Sequence, residues 1–140
     1  MVNVYQVTDN KLICRGYDGR LLRGVKAGAF AAADVTLLDN VESFQVQFGI
    51  STPASTSNGL PVRYVTADAL AAARTAYQQP VTLRVGILVK SDNGEVSQLP
   101  VRDISVLNEA ALTTDSSHYY QTFTRTMALR NMKNFVRSAK

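Results

Sequence analysis

The chain has 140 residues, 46% of them hydrophobic and 19% charged, which is the composition of one globular domain with room for a core. No apolar run approaches the roughly 20 residues that a membrane-spanning helix needs, so we expect the chain as given to be soluble. The single cysteine, Cys14, excludes an internal disulfide and a zinc site built from several thiolates. We predict one domain over residues 1–140, ending in a flexible basic tail over 132–140.

The net charge of +4 is concentrated near the two ends of the sequence. Both ends could attract a polyanion, because phosphate backbones respond to summed charge without needing particular neighbours. The alternative is an ordinary solvated face and a frayed tail. The cations that are candidates for a weak nucleic-acid contact are Arg15, Arg20, Arg23, Lys26, Arg130, Lys133 and Arg137.

The first 25 residues predict a β-meander. Strand-like runs over 2–7 and 11–15 flank Thr8-Asp9-Asn10, and a third run over 20–25 follows Asp18-Gly19, a favoured hairpin turn. The alanine-rich stretch 27–33 predicts one or two helical turns. Residues 35–38 then lead into the next strand.

Residues 41–49 carry the clearest strand pattern of the chain. Phe44, Val46 and Phe48 alternate with two glutamines, which is the two-residue period of a half-buried strand. Runs over 81–90 and 119–130 also place apolar residues at even spacing. We therefore predict that these three strands form one sheet.

One helix is predicted, over residues 68–78, because the segment is rich in alanine and Pro80 ends it. Its apolar stripe, made by Leu70, Ala73 and Tyr77, is narrow and suits a short helix lying across a sheet. Asn93-Gly94 predicts a hairpin whose returning strand covers 95–101. Residues 102–117 predict a long loop with a helical turn. The fold class predicted is α+β, a predominantly antiparallel β-sheet with one short helix.

The residue types needed for catalysis come together only at Asp115, Ser116, Ser117 and His118. Adjacency in sequence is weak evidence, since catalytic triads are assembled from separated segments, and we expect a solvated loop histidine. The sequence has no glycine-rich phosphate loop, and one histidine and one cysteine are too few for a typical transition-metal site. We therefore predict no catalytic residue, no cofactor and no metal.

Four segments together resemble a known family. Their order is DNVESFQVQFG, RYVTA, VTLRVGILVKS and YYQTFTRTMALRN, and over about residues 39–131 it is similar to the C-terminal half of the PilW family of type IV pilus assembly proteins. The resemblance implies a pilin-like globular domain that lacks the long N-terminal helix. It also implies a non-enzymatic minor pilin that primes pilus assembly with other minor pilins and the major pilin.

The same resemblance implies a location at the periplasmic side of the inner membrane and the pilus tip, with the membrane reached only through the missing helix. Cys14 is then either a small buried hydrophobe or has a disulfide partner upstream, which an exported protein would permit. Two other functions stay open, a minor pseudopilin of type II secretion and a weak, nonspecific DNA-binding module of a DNA-uptake pilus.

The predicted sheet offers more apolar surface than the predicted helix covers. An eleven-residue helix is about 16 Å long, while three strands offer many apolar side chains to one face. In the family that the chain resembles, a long N-terminal helix packs on this sheet. We therefore expect this face to be only partly covered, and to be left as an apolar patch or to draw in a second molecule. The large apolar side chains expected on it are Phe44, Phe48, Leu83, Ile87, Phe123 and Met127.

Overall fold

The computed structural model describes residues 2–23, 33–52, 59–75, 78–92, 94 and 98–129. The strands within these residues are β1 (Val2–Thr8), β2 (Lys11–Tyr17), β3 (Val35–Leu38), β4 (Val41–Ile50), β5 (Arg63–Val65), β6 (Pro80–Lys90), β7 (Asp103–Ile104), β8 (Leu112–Thr113) and β9 (Tyr120–Ala128). The helices are α1 (Gly19–Leu22) and α2 (Ala67–Thr75). This part of the chain is mostly antiparallel sheet and essentially all-β.

The predicted α+β class is therefore wrong. The main helix, α2, is only nine residues long, whereas strands hold more than half of the described chain. Strands also occupy segments whose sequence predicts only connections: β3 adds to the first sheet, and β7 pairs with β8. The predicted helical turns over 27–33 fall almost entirely outside the described residues.

The strands form three sheets, with the orders β1-β2-β3, β5-β4-β6-β9 and β7-β8. The predicted meander is correct for β1 and β2, which pair antiparallel along their whole length. They are joined at Asp9 and Asn10, both with positive φ, as a tight hairpin turn requires.

The third strand predicted in this meander, over 20–25, is wrong for residues 20–23, and residues 24 and 25 lie outside the described part of the chain. α1 begins at Gly19, and the Asp18 carboxylate accepts a hydrogen bond from the Arg20 backbone N–H at 3.0 Å. Aspartate at this position satisfies an N–H group that a helix N-terminus leaves without a partner. The third strand of the sheet is β3, which pairs antiparallel with β2.

The chain divides into two compact units. Unit 1 comprises Met1–Phe44, Ile87–Val106 and Ala110–Thr122, and unit 2 comprises Gln45–Gly86, Leu107–Glu109 and Phe123–Lys140. The single-domain prediction for 1–140 stays a prediction. So does the flexible tail over 132–140, which lies outside the described residues.

Unit 1 is held together around the turn between β1 and β2. The Asn10 carbonyl accepts a hydrogen bond from Val41 N–H at 2.8 Å, and the Asn10 side chain donates to Glu42 Oε1 at 2.7 Å. Glu42 also forms an ion pair with Lys90 at 2.6 Å. The apolar side chains buried in this unit are Leu12, Ile13, Val41, Leu88 and Val106.

The segment predicted as a loop with a helical turn, 102–117, contains the β7–β8 pair instead. Thr114 N–H donates to the Arg102 carbonyl at 2.8 Å, and Thr114 Oγ1 accepts from Arg102 N–H at 2.9 Å. These bonds continue the short antiparallel ladder, so the polar residues of this segment satisfy one another. Residues 98–101, predicted to be the end of a returning strand, are not in a strand, and Asn93 and 95–97 lie outside the described residues.

Unit 2 has a small core made by α2 and two strands. Ile50, Val65 and Ala73 are buried together, and Phe48 and Leu70 pack against them. The predicted helix is confirmed over its first part, with Leu70 and Ala73 on the face that it buries. Tyr77, the third residue of the predicted stripe, lies outside the described residues.

Candidate assembly surface

The pairing of β6 with β9 in unit 2 determines which side chains share a face. Leu129 N–H donates to the Val81 carbonyl at 2.9 Å, and Arg84 Nε donates to Thr126 Oγ1 at 3.4 Å. In this antiparallel register Leu83 lies opposite Met127. Because side chains alternate along a strand, these two lie on the face opposite to Arg84 and Thr126.

The neighbouring strand β4 is oriented by Gly49. A β-carbon at Gly49 would meet the Thr82 side chain, so the two residues face the same side of the sheet. Phe48 and Ile50 therefore face the other side, which is the side of Leu83. Since α2 packs on Phe48 and Ile50, it covers the part of this face formed by β4 and β5.

The part of this face formed by β6 and β9 is left partly open. Phe123 is 58% exposed and Met127 is 44% exposed, while Leu83 and Val85 are half-buried. We call these four side chains the uncovered face. The expectation that the helix covers only part of the sheet face is confirmed for the described residues. Of the six apolar side chains expected on that face, two are exposed and four, Phe44, Phe48, Leu83 and Ile87, are half-buried. Large apolar side chains exposed together are typical of surfaces that bind other proteins.

The opposite face of β4 holds a polar contact that the strand pattern did not predict. Gln47 is buried, with 8% of its surface exposed, and its Nε2 donates to Asn108 Oδ1 at 2.7 Å. A buried amide needs such a partner. The alternation of apolar and polar residues indicated which face Gln47 occupies, but its partner lies 61 positions later and left no local signal.

The polar cluster in unit 1 around Asp115 forms a closed turn. Its carboxylate accepts hydrogen bonds from Ser117 N–H at 2.9 Å, His118 N–H at 2.8 Å and the Tyr120 hydroxyl at 2.8 Å. It also contacts His118 Nδ1 at 2.8 Å. The hydrogen bonds from His118, Ser117 and Tyr120 hold the pKa of Asp115 well below its usual range.

This cluster differs from a catalytic triad in one respect. In a triad the acid and the nucleophile bind opposite nitrogens of the histidine ring. Here Ser117 Oγ, at 3.1 Å, and the Asp115 carboxylate both contact Nδ1 of His118. The arrangement therefore suits a turn cap, in which the carboxylate organises the backbone around it.

Two of the candidate nucleic-acid contacts are engaged with acids of unit 1. Arg15 binds Asp34 through two hydrogen bonds of 2.5 Å, which raise the pKa of Arg15. Arg20 binds Asp18 at 3.0 Å, and Arg23 donates to the Gly19 carbonyl at 3.1 Å. The remaining candidates, Lys26, Arg130, Lys133 and Arg137, lie outside the described residues. The nucleic-acid contact stays a prediction.

Within the described ranges, no three side chains of His, Cys, Asp or Glu lie close enough together to hold a metal ion. The same residues include no helix with the length and apolar character needed to span a membrane.

A partly uncovered apolar face on an antiparallel sheet is typical of proteins that bind other proteins. A sequence model of the type IV pilus-assembly protein W family, PilW, matches residues 1–131, so the chain belongs to this family. The resemblance seen over 39–131 is confirmed, and the match extends through β1, β2 and β3. No curated protein and no solved structure gives a match. Membership implies a role in type IV pilus assembly, in the cell envelope and alongside other pilus components.

Proposed function

We propose that this chain is the globular domain of a non-enzymatic minor pilin, which primes assembly of a type IV pilus at its tip. The observation that carries the proposal is the uncovered face within a chain of the PilW family. A priming subunit must offer apolar surface to its neighbours, because burial of apolar area is the main favourable term in protein association. Phe123 and Met127 supply such surface.

The neighbours proposed are other minor pilins and the major pilin, on the periplasmic side of the inner membrane and later at the pilus tip. Cell adhesion and twitching motility would then depend on the chain through the pili that it helps to start. The role requires no bond-making chemistry, and the closed turn around Asp115 and His118 is consistent with a structural use of those residues.

The proposal is tested by counting pili on a host whose copy of this gene has been deleted. We expect few or no pili, and restoration by the wild-type gene. A gene carrying Phe123→Ser and Met127→Ser should restore fewer pili than wild type at equal protein level. The matched control is Val35→Ser with Leu37→Ser, because these side chains of β3 are exposed to a similar degree, 57% and 51%, but lie in unit 1.

Full piliation of the deletion strain would contradict the priming role. Equal restoration by the two double variants would contradict the importance of the uncovered face. Comparison of cellular protein levels by immunoblot separates both results from a loss of folding.

A further inference from the structure

β9 is the last strand of the four-stranded sheet in the order β5-β4-β6-β9, so among the described strands none pairs with its outer edge. Every residue of β9 except Tyr120 is exposed. An edge strand of this length presents a row of backbone N–H and C=O groups on which another strand can pair.

The register with β6 shows which backbone groups of β9 point outwards. Leu129 N–H points towards β6, where it donates to Val81. The N–H and C=O groups of one residue in an antiparallel strand point to the same side, and successive residues alternate. Phe123, Arg125 and Met127 therefore direct their backbone towards β6, while Thr124 and Thr126 direct theirs to the open edge.

This arrangement also determines how side chains would meet across the edge. Phe123, Arg125 and Met127 would occupy non-hydrogen-bonded positions opposite an added strand. At these positions the Cα atoms are about 4.5 Å apart and facing side chains are closest. The three side chains would then dominate the choice of partner.

Arg125 makes this edge selective. It is exposed, and no described acid forms an ion pair with it. Its charge lies between the apolar side chains of Phe123 and Met127 on the same face. A second copy paired symmetrically about this position would place two arginines opposite each other, which is unfavourable.

We propose that the outer edge of β9 accepts an antiparallel strand from a partner protein of the pilus, with the side-chain pattern apolar, acidic, apolar at alternate positions. The acid pairs with Arg125, and the apolar side chains pack on Phe123 and Met127. The proposal names the partner chemistry of the assembly surface and so rests on the proposed function.

The test uses a synthetic peptide, acetyl-Lys-Thr-Val-Thr-Glu-Thr-Val-Thr-Lys-amide. The backbone nitrogens of both valines are N-methylated, so that the edge of the peptide turned away from β9 cannot pair with a second peptide. Binding to the chain is followed by NMR. We expect the backbone N–H groups of Thr124 and Thr126 to become protected from hydrogen exchange, whereas those of Arg125 and Met127 are already protected in the free protein.

Two matched peptides separate strand pairing from general stickiness. An isomer N-methylated at the two threonines that flank glutamate has the same composition but lacks the N–H groups that would face β9, so it should not bind. A peptide with lysine in place of glutamate should bind at least about threefold more weakly, the size expected for reversing one exposed charge pair. The variant Arg125→Glu should reverse this preference.

Failure of the first peptide to bind, equal binding of the two N-methylated isomers, or a charge preference that Arg125→Glu leaves unchanged would each overturn the proposal. Protection of Thr124 and Thr126 in the free protein, rising with its concentration, would also overturn it and would assign the edge to a second copy. The pilus count in the deletion strain does not depend on these peptides, so a failure of the proposed function is distinguishable from a failure of this inference.

Discussion

Gly49 and Thr82 approach each other so closely that a β-carbon at position 49 would overlap the Thr82 hydroxyl oxygen. Pro61 and Tyr64 close the same space, each about 3.0 Å from that carbon position. We predict that Gly49→Ala lowers the free energy of unfolding by about 1–3 kcal/mol, the usual cost of overpacking a well-filled site. Urea denaturation measures the change.

Gly16→Ala is the matched control, because a β-carbon there would meet only Asn3 Oδ1, at 3.8 Å. We expect its free energy of unfolding to be unchanged or slightly raised, since alanine restricts the unfolded chain. Adding Thr82→Ala to Gly49→Ala should recover part of the loss, because neighbouring substitutions are not additive. Equal effects at positions 16 and 49 would contradict the steric explanation.

The ion pair between Glu42 and Lys90 should stabilise unit 1 in a pH-dependent way. Both side chains are largely shielded, 16% and 27% exposed, and the hydrogen bond to Glu42 raises the pKa of Lys90. We predict that Glu42→Gln lowers the free energy of unfolding by about 1–2 kcal/mol, between the values for exposed and buried pairs. Denaturant unfolding at neutral pH measures this change.

The raised pKa of Lys90 determines how the free energy of unfolding depends on pH. The contribution of Lys90 is fully present below its unfolded pKa of about 10.4, and it is lost as the pH rises through the higher folded pKa. From neutral pH upwards, the difference in the free energy of unfolding between wild type and Glu42→Gln should therefore stay constant to about pH 10 and shrink above it. A difference that shrinks instead between pH 5 and 8 would contradict this assignment.

Asp115 should make the chain sensitive to acid. Its pKa is lowered in the folded state, first by the hydrogen bond with His118, so its contribution is fully present above the unfolded pKa of about 3.9. That contribution is lost as the pH falls through the lower folded pKa. We predict that Asp115→Asn lowers the urea midpoint at pH 6, and that the difference from wild type narrows below about pH 4. A gap of constant size down to pH 2 would show that the carboxylate is not responsible.

Any DNA binding should be weak, independent of sequence and lost by about 0.2 M salt, as expected for contacts with phosphate alone.

If Arg15 contributes to DNA binding, Asp34→Asn should strengthen the binding at low salt, because Asp34 otherwise engages the Arg15 guanidinium. Asp92→Asn makes the same change in net charge without touching a candidate cation. Fluorescence anisotropy with a labelled duplex measures the DNA affinity of wild type, Asp34→Asn and Asp92→Asn. Equal strengthening of binding by the two variants would show that net charge, and not Arg15, is the cause.

The sequence predicted the elements whose pattern is repeated over several residues. β4, β6 and β9 were recognisable from apolar residues at even spacing, and α2 from its alanines and Pro80. The short helix and the many apolar side chains of these strands also predicted a partly covered sheet face, but not which of its six large apolar residues would be the exposed ones. The existence of an uncovered apolar surface was therefore predictable, whereas its residues depend on the pairing of β6 with β9.

The features that were missed depend on short or distant interactions. Asp18-Gly19 suits both a hairpin turn and the start of a helix, and Asp18 takes the second role. β7 and β8 have two residues each, too few for a periodic signal. The burial of Gln47 depends on its hydrogen bond to Asn108. Asn108 follows Leu107, whose backbone has a positive φ of 56°, a conformation that is unfavourable for a leucine.

The position of β9 at the edge of its sheet also affects how the chain folds. Its partner β6 is made earlier, and residues 91–119 separate the two strands. During synthesis β6 therefore exposes an unpaired edge and the apolar side chains of Leu83 and Val85 until the C-terminal part of the chain emerges. Such unpaired edges favour aggregation. We expect a chain truncated before Tyr120 to aggregate more readily than the full chain, because the edge of β6 would then stay unpaired.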